Sequence, residues 1–290
     1  MVDPNPRTAA GPAGAAPSTP PRAALVLLAA GEGRRTGHST NKVLLPIAGR
    51  RVFTWSIRWA SLLPSVVRTT VVVRPQDEEE IRAGIRREVD PRVARNLDIV
   101  PGGDTRHASE WEALQALAPA IHHGEIEVIV IHDAARPLAS SDVFEAVVAE
   151  AAEHGGAIPV SDHRSLAALD GGEIPGDRVV AVQTPQAFRA APLLEAYRRA
   201  HAEGFVGTDT ASCIERYTDL PVRCVPGDAT NIKITFPEDL FLAERLLDKA
   251  GFDLSGGREQ TAAGHHRPHV RAFWHGAGPS SSGPSAGGAA

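Results

Sequence analysis

Three charged residues far apart in the chain could do chemistry together: Lys42, Asp133 and Lys233. Asp133 directly follows the apolar run VIVIH, at the end of what reads as a buried strand. A carboxylate there is costly to bury unless a cation or a donor meets it. Mg²⁺ riding on a triphosphate would meet it, because that ion commonly takes only one or two protein carboxylates. The plainer alternative is a salt bridge to Arg136 in the same turn. Lys233 interrupts the strand-like segment NIKIT, where a lysine ordinarily faces solvent. Paired with Lys42, it suggests a second positive group reaching across one pocket. His132 reads as a packed core histidine rather than a catalytic base.

The surroundings of Lys42 point to a phosphate ligand. Residues 24–28 are apolar and run abruptly into Ala-Ala-Gly-Glu-Gly-Arg-Arg. Gly31 and Gly33 let main-chain N–H groups face a ligand with no side chain in the way. From Arg34 to Gln76 there are eight Lys or Arg and no Asp or Glu. That suits a polyanion, and a nucleoside triphosphate is the obvious small one; a solvated basic face is the alternative. A Walker loop would need Gly-Lys-Ser/Thr, whereas Lys42 follows Asn41. A dinucleotide fingerprint is disfavoured too. Gly31, Gly33 and Gly37 are spaced one residue too wide for it, and no acid lies between Glu32 and Asp77 to take the ribose.

The elements that must position these groups alternate. Apolar, β-branched runs predict strands at 24–28, 69–73, 97–100, 128–131, 179–182, 222–225 and 232–235. Helical patterns lie at 53–63, 77–88, 108–117, 142–154, 192–203 and 237–249. Ser141-Asp142 and Thr208-Asp209 look like N-caps, Pro237 suits a first helical position, and Gly251 ends the last helix. Such alternation implies an α/β fold with a mostly parallel sheet flanked by helices on both faces. Ligands of such sheets bind at the carboxyl ends of the strands. The Lys42 loop, the 101–109 turn, Asp133 and Lys233 are therefore expected to converge there.

Composition narrows the class. At 290 residues and 42% hydrophobic, the chain can bury one substantial core or two small ones. A net charge of −5 argues against a general nucleic-acid binder. The only two cysteines, Cys213 and Cys224, have no metal-like spacing, so a reduced, cytoplasmic setting is expected. No apolar run approaches a membrane span, and the first residues lack the hydrophobic stretch of a secretory signal. Residues 1–22 and 251–290, rich in Pro, Ala, Gly and Ser, read as a disordered leader and tail around a domain at 23–250. Four tail histidines (His265, His266, His269, His275) make a weak metal candidate with no Cys partner.

LAAGEGRRTG, NKVLLPIAGRRV, PGGDTRHAS, VIHDAARPL, AVQTPQAF, GTDTAS and GDATNIKITFPEDLFLAERLL follow one another over residues 24–247. In this order they resemble the 2-C-methyl-D-erythritol 4-phosphate cytidylyltransferases, whose superfamily also holds the ribitol-phosphate cytidylyltransferases. The resemblance implies a Rossmann-like nucleotidyltransferase fold and CTP lying over the first glycine loop. Ala29 and Ala30 would lie near the base, with Gly31 and Gly33 in the loop, and Gly103, Asp104 and Ser109 would hold cytosine and ribose. Lys42 and Lys233 would neutralise the α-phosphate, Arg35 the triphosphate, and Asp133 would face Mg²⁺. Arg136, Thr184 and Thr208 would look toward the polyol phosphate. It further implies a homodimer, with a β-arm at about 162–183 reaching into the partner's site. In that arm Asp162-His163-Arg164-Ser165 replaces the family's usual residues, and Arg164 or Arg178 would stand in for its phosphate-binding arginine. Asn41 stands where proline is usual and Thr36 where methionine is.

The implied reaction is transfer of CMP from CTP to a polyol phosphate, 2-C-methyl-D-erythritol 4-phosphate in the first instance. The alternatives are another acceptor such as ribitol 5-phosphate, or a non-catalytic nucleotide-binding paralogue.

Overall fold

The computed structural model describes residues 19–31, 41–162, 180–207 and 209–250. In chain order the elements are β1 (Ala23–Leu28), a hairpin of β2 (Pro46–Ile47) and β3 (Arg50–Arg51), α1 (Val52–Ala60), β4 (Val66–Val73), α2 (Glu78–Glu88), α3 (Pro91–Ala94) and β5 (Leu97–Pro101). Then come α4 (Arg106–His122), β6 (Val128–Asp133), α5 (Ser141–His154), β7 (Gly156–Asp162), β8 (Val180–Val182) and β9 (Gln186–Arg189). The last are α6 (Ala190–Glu203), α7 (Thr210–Tyr217), β10 (Val222–Pro226) and α8 (Pro237–Lys249).

Eight strands form the main sheet in the order β10-β7-β9-β6-β1-β4-β5, with β8 added on β7. Neighbours β6, β1, β4 and β5 are parallel, as are β7 and β10, while β9 runs antiparallel between β6 and β7. The mostly parallel sheet expected from the alternating pattern is therefore present.

Strand β1 sits at its centre because both of its faces are apolar. Leu25 and Leu27 pack with Phe53, Ile57, Ile81, Phe144 and Val147 on one side. Ala24 and Val26 pack with Leu114, Leu117, Leu193, Tyr197 and Ile214 on the other. A strand buried on both faces reads as a continuous apolar run, as this one does. A third, smaller cluster joins α8 to the β2–β3 hairpin through Ile47, Trp55, Ile234, Ala243 and Leu247.

Three expectations need correction. Residues 232–235 are not a strand: the segment is extended and makes a single bond to the sheet's neighbourhood, Ile234 N–H to the Ala135 carbonyl at 2.8 Å. One bond is not a ladder. Second, β7 and β9 were not expected. Gly156 and Pro159 weaken the strand signal of β7, and QAFR is too short and mixed to announce β9. Third, α5 is capped by Ser140, one residue before the expected position, its hydroxyl accepting from Val143 N at 3.4 Å. The cap at Asp209 is as expected, its carboxylate accepting from Ser212 N at 2.9 Å. Pro237 opens α8.

β7 pairs antiparallel with β8, from Val160 opposite Val182 to Asp162 opposite Val180, on either side of the segment expected to form the arm. Residues 163–179, including Arg164 and Arg178, lie outside the described residues, as do residues 1–18 of the expected leader and the whole expected tail from Gly251; the end of that leader is described, with Arg22 N donating to Glu127 Oε2 at 2.8 Å.

Candidate active site

The carboxyl ends of the central strands are stitched together. Leu28 of β1 pairs with Asp133 of β6 and with Val72 of β4. The first residues beyond the strands continue that register: Ala29 N donates to Val72 O at 2.8 Å, Gly102 N to Val73 O at 2.8 Å, and Ala134 N to Leu28 O at 3.0 Å. The glycine turn after β1 and the Pro-Gly-Gly turn after β5 therefore abut. A Cβ built on Gly102 would lie 2.6 Å from the Ala30 Cβ, and one on Gly103 would lie 2.5 Å from the Ala108 Cβ. No side chain fits between them. Gly31 faces open space instead. Ser109, buried in the first turn of α4, donates to the Gly103 carbonyl at 3.3 Å, and Asp104 is exposed beside it.

Asp133 is the electrostatic centre. Its Oδ2 is 2.7 Å from the Lys233 ammonium and its Oδ1 is 3.5 Å from Arg106 Nε. Burial alone would raise its carboxyl, but the Lys233 ammonium, and after it Arg106, hold it well below the usual carboxylate range. The expected alternative partner is turned elsewhere: Arg136 Nη1 donates to the Asn231 carbonyl at 2.8 Å. The backbone of Asp133 is held by Thr184, whose hydroxyl oxygen accepts from Asp133 N at 3.1 Å. That hydroxyl also lies 3.0 Å from His132 Nδ1, and His132 Nε2 lies 3.1 Å from the Arg136 carbonyl. The carbonyl can only accept, so Nε2 carries the proton and Nδ1 accepts from Thr184. His132 is fully buried against Phe144, and burial lowers it to about 4, so it is a neutral core residue.

Lys233 reaches Asp133 because its loop is hung on side-chain amides. Gln183 Nε2 donates to the Asp228 carbonyl at 2.9 Å and its Oε1 accepts from Asp228 N at 3.2 Å. Asn231 Nδ2 donates to the Thr184 carbonyl at 2.9 Å. Ile234 is buried, so its chain neighbour Lys233 is turned outward, with 43% of its side chain exposed. Lys42 is half-buried in the turn Lys42–Leu44, whose Val43 and Leu44 enter the core.

Arg106, Glu110, Gln183 and Asn231 are participants that sequence reasoning did not single out. Arg106 Nη1 is 2.5 Å from Glu110 Oε1 and 3.3 Å from Thr210 Oγ1. Glu110 is buried and also accepts from Thr210 Oγ1 at 2.8 Å and from the Tyr197 hydroxyl. Burial raises its carboxyl, against the pull of Arg106. The charges therefore alternate as Glu110, Arg106, Asp133, Lys233. The i, i+4 spacing of Arg106 and Glu110 at the start of α4 was the available signal. Gln183 and Asn231 lie within AVQTPQAF and GDATNIKITF, where an amide carries no charge or spacing signal of its own. Gly33, Arg35 and Thr208 lie outside the described residues.

A cavity of about 250 Å³ lined by Val67, Arg68, Asn96, Asp98 and Glu125 lies at the amino ends of β4 and β5, where Arg68 is already paired with Asp98 at 2.9 Å. It is on the wrong side of the sheet for this chemistry.

The sequence profile of the 2-C-methyl-D-erythritol 4-phosphate cytidylyltransferases matches residues 23–249. The chain belongs to this family. Similar relatives include the 2-C-methyl-D-erythritol 4-phosphate cytidylyltransferase of Symbiobacterium thermophilum, 41% identical over 231 residues, covering 78% of this chain and 92% of the relative. That of Pelotomaculum thermopropionicum is 37% identical over 232 residues, covering 78% and 94%. The crystal structure of 4-diphosphocytidyl-2C-methyl-D-erythritol synthase from Anaerococcus prevotii superposes with a TM-score of 0.66 at 26% identity, covering 79% of this chain and 96% of that one. The Thermus thermophilus 2-C-methyl-D-erythritol 4-phosphate cytidylyltransferase gives 0.59 at 28% identity, covering 77% and 98%. The nucleotidyltransferase fold and the enzyme class follow from these matches. Among the described residues, the strand-end turns and the Asp133–Lys233 pair bring glycines, a carboxylate and an ammonium to the carboxyl end of the sheet.

Proposed function

We propose that this cytidylyltransferase moves CMP from CTP to 2-C-methyl-D-erythritol 4-phosphate, releasing pyrophosphate and giving the CDP-polyol used in isoprenoid precursor synthesis. The observation that carries the reading within the structure is the meeting of Lys233 with Asp133, a hundred residues apart in sequence, 2.7 Å from each other at the end of β6. That end lies beside the glycine turn of β1.

A phosphate oxygen of the acceptor attacks the α-phosphorus. The bond from that phosphorus to the bridging oxygen of the β-phosphate breaks, and the electron pair leaves with pyrophosphate. The attacking phosphate is already ionised at neutral pH, so no strong general base is needed; His132, neutral and enclosed, takes no part. What the protein supplies is positive charge against the negative charge gathering on the equatorial oxygens, and alignment of two anions that repel. Lys42, Lys233 and Arg35 fill the first role. Ala29, Ala30, Gly31, Gly33, Gly103, Asp104 and Ser109 seat the nucleotide, while Arg136, Thr184 and Thr208 serve the acceptor side. Because the Thr184 hydroxyl is engaged by His132 and Asp133 N, it serves that side by holding the strand end and not by touching the acceptor.

Asp133 fits a hard cation in being an oxygen donor, 13% exposed, whose ionised form is favoured, and a bound ion would share it with Lys233 and Arg106. Among the described residues no group of three His, Cys, Asp or Glu could hold a metal by itself. An ion here would therefore draw its other ligands from triphosphate and water, as Mg²⁺ does. When bound, Mg²⁺ would neutralise triphosphate charge. The β7–β8 pairing supports an arm that contacts a second copy of the chain, giving a homodimer. The cysteines Cys213 and Cys224 are both unbridged, which fits a cytoplasmic enzyme. No helix among the described residues is long and apolar enough to cross a membrane.

The test is a panel of acceptors with CTP and Mg²⁺, read by pyrophosphate release. The methylerythritol phosphate is expected to give the highest kcat/KM. Preference for ribitol 5-phosphate would replace the acceptor, and tight CTP binding with no release for any acceptor would refute the enzymatic reading.

A further inference from the structure

Asn41 is 1% exposed, and its amide is almost fully used. Nδ2 donates to the Ala29 carbonyl at 3.0 Å and to Asp77 Oδ2 at 2.8 Å, while Oδ1 accepts from Val43 N at 3.4 Å. Both neighbours of Nδ2 are pure acceptors, which settles which way the amide points. Each partner is itself held. Ala29 N is bonded to Val72 O at 2.8 Å at the end of β4. Asp77, 7% exposed, receives a two-pronged contact from Arg74, Nε to Oδ2 at 2.6 Å and Nη2 to Oδ1 at 3.0 Å. The next residue in the chain is Lys42, in a turn closed by Leu44 N to Asn41 O at 2.9 Å and Leu45 N to Lys42 O at 3.2 Å.

We propose that Asn41 is a positioning residue for Lys42: its amide locks the backbone of the lysine's turn to the carboxyl end of β1 and to the Arg74–Asp77 pair after β4. This rests on Lys42 acting as a phosphate-facing cation. The chemistry asks for an amide at this position. Two acceptors converge on one nitrogen, so two hydrogens are needed, and an acceptor is needed at the same time for Val43 N. Alanine removes all three contacts, and aspartate would set a second carboxylate against Asp77. With the turn anchored on one side by Asn41 and on the other by Val43 and Leu44 in the core, the lysine's reach is set relative to the strand ends where a triphosphate would lie. An offset of about 1 Å in such a group can cost up to about 100-fold in rate.

The experiment is a double-mutant cycle on kcat for pyrophosphate release, using wild type, N41A, K42A and N41A/K42A with CTP, Mg²⁺ and the methylerythritol phosphate. N41A is expected to lower kcat by about tenfold or more in wild type, yet by less than about twofold when Lys42 is already gone, because there is nothing left to aim. A near-normal K42A would sink the assignment of Lys42 itself. A slow K42A beside a full-speed N41A, or an equal N41A loss in both backgrounds, would overturn the positioning role alone. If N41A does not fold, Asp77→Ala gives the same comparison, since it removes the one oxygen that accepts from both Asn41 Nδ2 and Arg74 Nε. A several-fold loss confined to the Lys42 background is expected, and an additive loss refutes the proposal.

Discussion

Replacing Lys233 by methionine separates what this lysine does for the reaction from what it does for the fold. The ammonium sits 2.7 Å from Asp133 Oδ2, but 43% of the side chain is exposed. Water screens a pair so placed, so its net worth to folding is no more than about 1 kcal/mol. Asp133 would keep Arg106 at 3.5 Å and the Thr184 contact to its backbone, and so would not become an isolated buried charge. The transition state has no such substitute. A preorganised positive group lost from charge that develops during transfer costs about 10²–10³ in kcat, or about 3–4 kcal/mol at the barrier. The predicted signature is therefore a large rate defect in a protein of nearly unchanged stability. Single-turnover rates at saturating CTP and acceptor, set beside urea midpoints for the same preparations, give both numbers. A kcat within tenfold of wild type would refute the reasoning. So would a fall in unfolding free energy matching the rate defect, because the lysine would then be structural.

His132 is neutral when folded, with burial lowering it from 6.5 to about 4. Above pH 6.5 it has no effect on stability; as pH falls from there toward 4 the unfolded chain binds the proton first, costing about 3 kcal/mol. Urea midpoints from pH 7 to 4.5 should fall less steeply for His132→Gln than for wild type. Arg106→Met leaves the enclosed Glu110 without its cation and should destabilise by about 3–5 kcal/mol, whereas Arg106→Met with Glu110→Gln should recover most of that in the same denaturation assay. Asp133→Asn should raise the Mg²⁺ concentration for half-maximal turnover by about tenfold or more, since even groups that only support a metal ligand cost that much; an unchanged titration would remove Asp133 from the metal's reach.

The central sheet was legible because its strands announce themselves: β1, β6 and the last residues of β4 are enclosed on both faces and show as apolar, β-branched runs. Where enclosure is partial, the pattern blurs. β7 carries Gly156 and Pro159, which break up its strand signal, and the only regular feature of β9 is its pairing with two neighbours. The segment holding Lys233 mimics a strand for a different reason. Ile234 is buried and Lys233 exposed, an alternation that a docked extended loop shares with a ladder. Asp133 was visible as a charge at a strand end, Lys233 as a charge inside an apolar alternation, and Lys42 as the lysine of a basic stretch after the glycine loop. Arg106 and Glu110 were not, since burial of an acid inside a helix–helix contact leaves only an i, i+4 pair that surface helices also show. Asn41 looked like a mere departure in type, and only its three bonds reveal its use.

The loop bearing Lys233 is suspended from Gln183 and Asn231 instead of being woven into the sheet. Its aim can thus be retuned by exchanging one or two amides, with the strands that seat the nucleotide left as they are. A catalyst assembled this way can adjust the charge at the reacting phosphorus while its seat for the nucleoside stays constant.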